Sequence, residues 1–140
     1  MTGRAARTQD CSAAEARGRL AKARKFLEVA ELVHEIAEEG DDESASVSAA
    51  LFVLAGIAAA DAACCHVLGR RSRAQDHRAA EDLVTGILPG GPQAAISLRR
   101  LLNLKDEAHY GFYAVGGSKL RAASRQARTV VNFADAAMRP

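Results

Sequence analysis

Apolar residues are not spread evenly along this chain. From Val47 to Leu68 (VSAALFVLAGIAAADAACCHVL) they run almost without a break, and polar positions mark out no face. A helix that is apolar on every side is enclosed, either by protein or by lipid. The run is close to the roughly 20 residues that cross a bilayer. Two features favour protein. Much of the run is Ala, Ser and Gly, and Asp61 lies well inside it, where a central Asp costs about 2.5–3.5 kcal/mol on insertion. The run is therefore expected to be the central helix of a bundle, with Ala49, Ala55, Gly56, Ala59 and Ala63 letting neighbours come close.

The remaining pattern is helical on both sides of this run. Residues 1–11 are polar without periodicity and read as a flexible tail. Ser12-Ala13-Ala14-Glu15 has the form of a capping box. A helix should follow to about Glu39, with Leu20, Ala23, Leu27 and Ala30 at three- and four-residue steps. Gly40-Asp41-Asp42 stops it, and Asp42 or Ser44 is the expected cap of the central helix. Gly69 ends that helix, and Arg70-Arg71-Ser72-Arg73 reads as a basic loop. Asp76 should cap a short helix from His77 to about Ile87, before the break Pro89-Gly90-Gly91-Pro92. A fourth helix runs from Pro92 to about Ala108, with Ile96, Leu98, Leu101, Leu102 and Leu104 inward. A glycine-bounded apolar loop from Tyr110 to Gly117 leads to a last helix, about Ser118 to Ala137. The pattern predicts an all-α, antiparallel up-down bundle of about four long helices plus one short helix, a single domain over residues 12–138.

Composition agrees. The 140 residues suffice for one core, and with 4% aromatics and no Trp that core must be Ala, Leu, Val and Ile. The net charge of +2 says less than its distribution. In the first helix Lys22, Arg24 and Lys25 come early, and Glu28, Glu31, Glu35 and Glu38 late. That order opposes the helix dipole, so tertiary packing must hold the helix. Arg121, Arg125 and Arg128 fall on one stripe of the last helix, and no Asp or Glu stands between Gly111 and Phe133. Phosphate backbones bind such a stripe through counterion release; an exposed soluble face has the same pattern. An acidic corner, Glu35, Glu38, Glu39, Asp41, Asp42 and Glu43, suits self-association.

The N-terminus MTGRAARTQD has no apolar stretch of the secretory kind. The three cysteines, Cys11, Cys64 and Cys65, form no disulfide framework, and Cys64 and Cys65 are expected to be reduced, buried thiols. A cytoplasmic protein follows, with no membrane contact. Asp61, Cys64 and Cys65 share a helix face, but no second ligand pair stands at a zinc spacing, so neither metal nor cofactor is expected.

Several segments then stand in a familiar order: Ala23-Arg24-Lys25-Phe26-Leu27-Glu28-Val29-Ala30-Glu31-Leu32, the Gly40-Asp41-Asp42 turn, the Ala-rich helix ending Leu68-Gly69, Asp76-His77-Arg78-Ala79-Ala80, and Leu101-Leu102-Asn103-Leu104-Lys105-Asp106-Glu107-Ala108-His109-Tyr110-Gly111. Over about Leu20 to Ala137 the chain resembles the HEPN family, small all-α domains of prokaryotic toxin–antitoxin and phage-defence systems. Active members of that family carry an Arg, a polar neighbour and a His, held to cut RNA without a metal, often across a dimer interface. The resemblance places Lys105 at the Arg, with Asp106 as polar neighbour and His109 as the His. Lys replaces Arg, and three residues separate Lys105 from His109, a shorter spacer than the family's. The implied protein is a homodimeric, metal-independent endoribonuclease, with a cognate antitoxin or a nucleotidyltransferase-like protein as partner. The alternative is a catalytically inactive HEPN-like module that dimerises and binds a partner protein, nucleotide or nucleic acid.

The residues permit that chemistry. Lys105 and His109 are four apart on one helix, so both project the same way. A His moves protons near neutral pH, and a Lys stabilises charge growing on a phosphate. Tyr110 could stack on a base, and Arg121, Arg125 and Arg128 could follow a backbone. The same Lys and His also suit a solvated helix end, where cations favour the dipole. His34 and His66 read as core or interface residues, and His77 as capping or packing.

Overall fold

The computed structural model describes residues 8–73, 77–110 and 115–140, apart from the side chains of residues 107–110. Its elements are strand β1 (Thr8–Asp10), helix α1 (Ala13–Ile36), helix α2 (Asp42–Leu68), strand β2 (Arg70–Ser72), helix α3 (His77–Thr85), helix α4 (Gly91–Tyr110) and helix α5 (Gly117–Ala137). The fold is all-α but for one short ribbon, with four long helices and one short one as the periodicity predicts. The expected Asp76 cap, the loop residues 111–114 and residues 1–7 lie outside the described residues.

Local chemistry sets the helix ends. The Ser12 hydroxyl accepts from the Glu15 amide at 3.1 Å, the expected cap, and donates to Glu15 Oε1 at 3.3 Å. Removing such a cap costs about 1 kcal/mol, so Ser12→Ala should lower stability by about that much in a denaturant titration. Asp41 caps α2, its Oδ1 accepting from the Ser44 amide at 3.1 Å, just before the residues expected for this role. Gly69 ends α2 at φ 71°, a conformation glycine alone adopts without cost, and its amide bonds the Cys65 carbonyl at 3.1 Å.

Side-chain pairs fix the directions of the long helices. Ser48 Oγ donates to the Ala30 carbonyl at 2.8 Å, and Arg19 meets Asp61 at 2.8 Å. Partners that descend one helix while climbing the other make α1 and α2 antiparallel. Arg128 and Ser124 both donate to Glu31, and Arg24 pairs with Asp135, so α5 also runs antiparallel to α1. Hence α2 and α5 are parallel neighbours, the diagonal of an up-down bundle. Small side chains let that diagonal close, and α2 touches α1, α3, α4 and α5. Against α4 the approach is close at Gly56, where an added Cβ would stand 2.4 Å from Leu101 Cδ1.

The enclosure of α2 accounts for its composition. The helix is long and apolar enough to cross a membrane, with a mean hydropathy of 2.0 over its best stretch, but 67% of that stretch is buried within the fold. Asp61 is 6% exposed, and burial pushes its carboxyl above the usual range against the pull of Arg19.

The N-terminal boundary and the cysteines depart from expectation. The segment from Thr8 is ordered, not a tail: β1 pairs antiparallel with β2, Thr8 opposite Ser72 and Asp10 opposite Arg70. Arg70–Ser72, expected as loop, is therefore a strand. The left-handed turn at Gly69 folds the chain back over the end of α2, where the Cys11 amide bonds the Gly69 carbonyl at 3.0 Å. There Cys11 and Cys65 form a disulfide with a Cα–Cα separation of 5.4 Å, so the expected reduced state holds only for Cys64. Periodicity placed Cys65 in a buried helix, but it carries no information on a partner 54 residues away.

Cys64 is kept out of this chemistry. Burial, aided by the negative charge of Asp61, pushes its thiol up to about 12. Only the thiolate attacks disulfides or alkylating agents. Native protein should therefore leave Cys64 unlabelled by iodoacetamide, denaturant alone should expose that one thiol, and denaturant with reductant should expose all three cysteines.

Candidate functional site

The residues singled out by sequence converge on α4, and the fold supplies them with a partner from α3. Gly91 starts α4 so close to the end of α3 that an added Cβ would stand 2.3 Å from the Val84 carbonyl oxygen. The two helices thus pack tightly and open into a cleft of about 230 Å³ lined by His77, Arg78, Glu81, Asn103, Lys105 and Asp106.

Within the cleft Lys105 Nζ stands 3.1 Å from His77 Nε2. With Lys105 as the ammonium, which only donates, Nε2 is the acceptor of a neutral ring. Glu81, one turn along α3 from His77, is 6% exposed and is held by Arg99 at 2.9 Å and Arg78 at 3.5 Å. His77 is also within electrostatic reach of Asp61, and in its charged form adds a small pull to that of Arg19 on the Asp61 carboxyl. The arrangement joins a titratable imidazole to a cation at the mouth of a polar cleft. Such a pair can remove a proton from a hydroxyl and stabilise an oxyanion beside it.

The predicted site residues fare differently. Lys105 is half-buried in the cleft and Asp106 is exposed on its rim. His109 and Tyr110 lie on the last turn of α4, but their side chains are outside the described residues. His77 was read as capping or packing, whereas its ring faces Lys105 across 28 residues of sequence. Glu81 was not singled out at all. Its only sequence signal was a carboxylate at a position where the apolar periodicity of α3 turns inward.

The arginine stripe on α5 is divided by its surroundings. Arg125 is exposed, Arg121 lines a corner pocket of about 500 Å³ with Glu38, Glu39, Asp41 and Asp42, and Arg128 is held by Glu31 at 2.7 Å. Arg128 is thus already committed to a carboxylate. A second groove of about 290 Å³ lies between α4 and α5, with Leu101, Leu104 and Ala123 as floor and Arg100, Lys119 and Gln126 on its rim. Asn103 lines both this groove and the cleft.

Burial pulls the Glu31 carboxyl up, but hydrogen bonds from Arg128 and Ser124 and the charge of Arg128 hold it below its ordinary value of 4.5. A depressed native value stabilises the fold above the unfolded one, and that stabilisation is lost as pH falls through the native value. Glu31→Gln should accordingly flatten the loss of stability on acidification below pH 4.5, measured by denaturant titration at several pH values.

The proposed metal alternative at Asp61, Cys64 and Cys65 loses a ligand, since the Cys65 sulfur is bonded to Cys11. No protein-family model matches the chain, and no curated protein matches it.

Proposed function

We propose that the chain is a HEPN-like, metal-independent ribonuclease of a toxin–antitoxin or phage-defence module, and that the cleft between α3 and α4 is where it acts. The observation that carries this reading is the 3.1 Å contact between Lys105 and His77 in an open polar cleft, on the helix that bears the motif-like segment. In the proposed reaction Lys105 turns from His77 Nε2 to the incoming phosphate, the freed Nε2 takes the proton of an RNA 2′-hydroxyl, and the resulting oxyanion attacks the adjacent phosphorus. The P–O5′ bond breaks as the 2′,3′-cyclic phosphate forms. Lys105 meets the charge that grows on the phosphoryl oxygens. In this reading His109, one turn further along α4, is assigned the return of a proton to the departing 5′ oxygen. Arg100 and Lys119, along the neighbouring groove, suit the phosphates of a continuing strand. The active form in this reading is a cytoplasmic homodimer. A cytosolic setting would place Cys11–Cys65 among the disulfides that form and open with redox state.

Incubating purified protein with total RNA in the presence of EDTA tests the proposal. Wild type should cut, and His77→Ala, Lys105→Ala and His109→Ala should each slow cutting by roughly 100-fold or more. Equal cutting by all four proteins, or none by any, would remove the nuclease reading. The non-enzymatic alternative draws on the apolar outer face of α1 and α2, which suits a binding module. Under that alternative a bound antitoxin-like protein or nucleotide, recovered without RNA cleavage, is the expected finding.

A further inference from the structure

The nine residues of α3 are too few to make a stable helix alone, so the helix depends on what braces it. Its last turn is clamped against the start of α4, where Gly91 meets the Val84 carbonyl. Its middle is held by the Arg99–Glu81 pair. Its first turn, which carries His77, follows β2 in the chain, and β2 packs against both α2 and α3. Strand β2 is in turn paired with β1, and β1 leads into Cys11, which is bonded to Cys65 of α2. Asp61 joins the same region from within. It stands one turn before Cys65 on α2, so both project the same way. Its carboxylate pairs with Arg19 and is within electrostatic reach of Arg71 on β2 and His77 on α3. The crosslink, the ribbon and the start of α3 thus meet at one end of the molecule.

We propose that the Cys11–Cys65 bond is a thiol-operated switch that sets the position of His77. With the bond closed, the ribbon braces the first turn of α3 and His77 meets Lys105. With the bond open, the ribbon releases and His77 leaves Lys105. This inference rests on the cleft assigned above and adds its regulation.

The reductant is a small monothiol of the glutathione kind. Its thiolate attacks one sulfur of the bond and forms a mixed disulfide, while the other cysteine departs as a thiolate and takes up a proton. A second monothiol attacks the first at the mixed disulfide and frees the remaining cysteine. The protein gains two electrons and two protons, and the two monothiols leave paired as their own disulfide. Cys11 is half-buried and Cys65 is 3% exposed, so the attack falls on Cys11 and Cys65 departs. Cys64, next to Cys65, stays out of the exchange because burial keeps its thiol protonated. Opening the bond leaves the other restraints in place: α5 remains tied to α1 through Arg128 and Glu31, and the end of α3 to α4. The change is therefore confined to the ribbon and the first turn of α3.

Nuclear magnetic resonance of histidine nitrogens reads His77 in each state, with excess glutathione as reductant and alkylated thiols counted by mass. Oxidised wild type and oxidised Cys64→Ala should share one His77 Nε2 resonance. Reduced wild type, and Cys11→Ser with or without reductant, should show it where Lys105→Met places it. The His34 resonance and the circular dichroism should stay as they are. Glutathione disulfide should return wild type, but not Cys11→Ser, to the first position. A bond that glutathione leaves intact in the native protein, or a His77 resonance indifferent to reduction, overturns the switch. So does a change shared by His34 and accompanied by loss of circular dichroism, which is global unfolding. If wild type cuts RNA, reduction should slow it by roughly 100-fold, the cost of misplacing a reacting group by about 1 Å; an unchanged rate overturns the switch. Protein that cuts no RNA in either state, with its His77 resonance still moving on reduction, removes the nuclease reading and leaves the switch standing.

Discussion

Reducing the Cys11–Cys65 bond should destabilise the protein by about 4 kcal/mol, the figure expected when a crosslink of this loop length is removed from the unfolded chain. The sequence separation is 54 residues, so the bond closes a loop that spans all of α1 and most of α2. It also fastens β1 to the end of α2. A two-stranded ribbon is marginal by itself, so most of its order derives from this anchor. The expected result is a melting temperature lower by roughly 14 °C in the presence of a phosphine reductant. Cys11→Ser should reproduce the drop without reductant, and reductant should then change nothing further. The effect should also reach the cleft, because β2 leads within a few residues into His77. Amide exchange in β1 and β2 should rise first, before α1 or α5 opens. An unchanged melting temperature with all thiols titratable would show that the crosslink constrains nothing.

The second large effect concerns a glycine where an added methyl group must displace a buried leucine. In a helix interior Gly→Ala ordinarily stabilises by about 0.5–1 kcal/mol. At Gly18, where nothing lies within 4 Å of an added Cβ, Gly18→Ala should do so. At Gly56 the sign should reverse. The added carbon would stand 2.4 Å from Leu101 Cδ1, so the buried Leu101 side chain must leave its packed position and turn toward the groove between α4 and α5. Overpacking of this kind costs about 1–3 kcal/mol. Gly56→Ala should therefore destabilise by about that amount, and the shift of α4 should weaken any RNA cutting more than the stability loss alone explains. Paired denaturant titrations of the two variants read the difference. If Gly56→Ala stabilises as Gly18→Ala does, α2 and α4 are not in contact as described.

These two positions show what the chain reveals at the level of sequence. The enclosure of α2 was legible, because only a helix covered on every side is apolar on every side. So were the Ser12 cap and the stop at Gly69, since both are local chemistry. The pairing of α2 with α5 was not legible, because helices of an up-down bundle give no sign of which diagonal closes. Gly56 was marked as permitting close approach, but its neighbour Leu101 lies 45 residues away and only the fold joins them. Cys11 stood in a polar stretch without periodicity, and so the disulfide and β1 left no local trace. At the cleft, Lys105 was found through its place in an ordered resemblance. His77 was seen only as the start of a short helix, because the contact that gives it a use crosses from α3 to α4.

The central claim is that His77 and Lys105 act together on an RNA phosphate. Nuclear magnetic resonance of protein labelled at histidine nitrogens tests it most directly, with a short oligonucleotide carrying 2′-deoxy sugars so that it binds without being cut. The account predicts that the His77 Nε2 resonance shifts on titration, that Lys105→Met abolishes the shift, and that the His34 and His66 resonances stay in place. A His77 resonance unmoved by saturating oligonucleotide, or moved equally without Lys105, would contradict it.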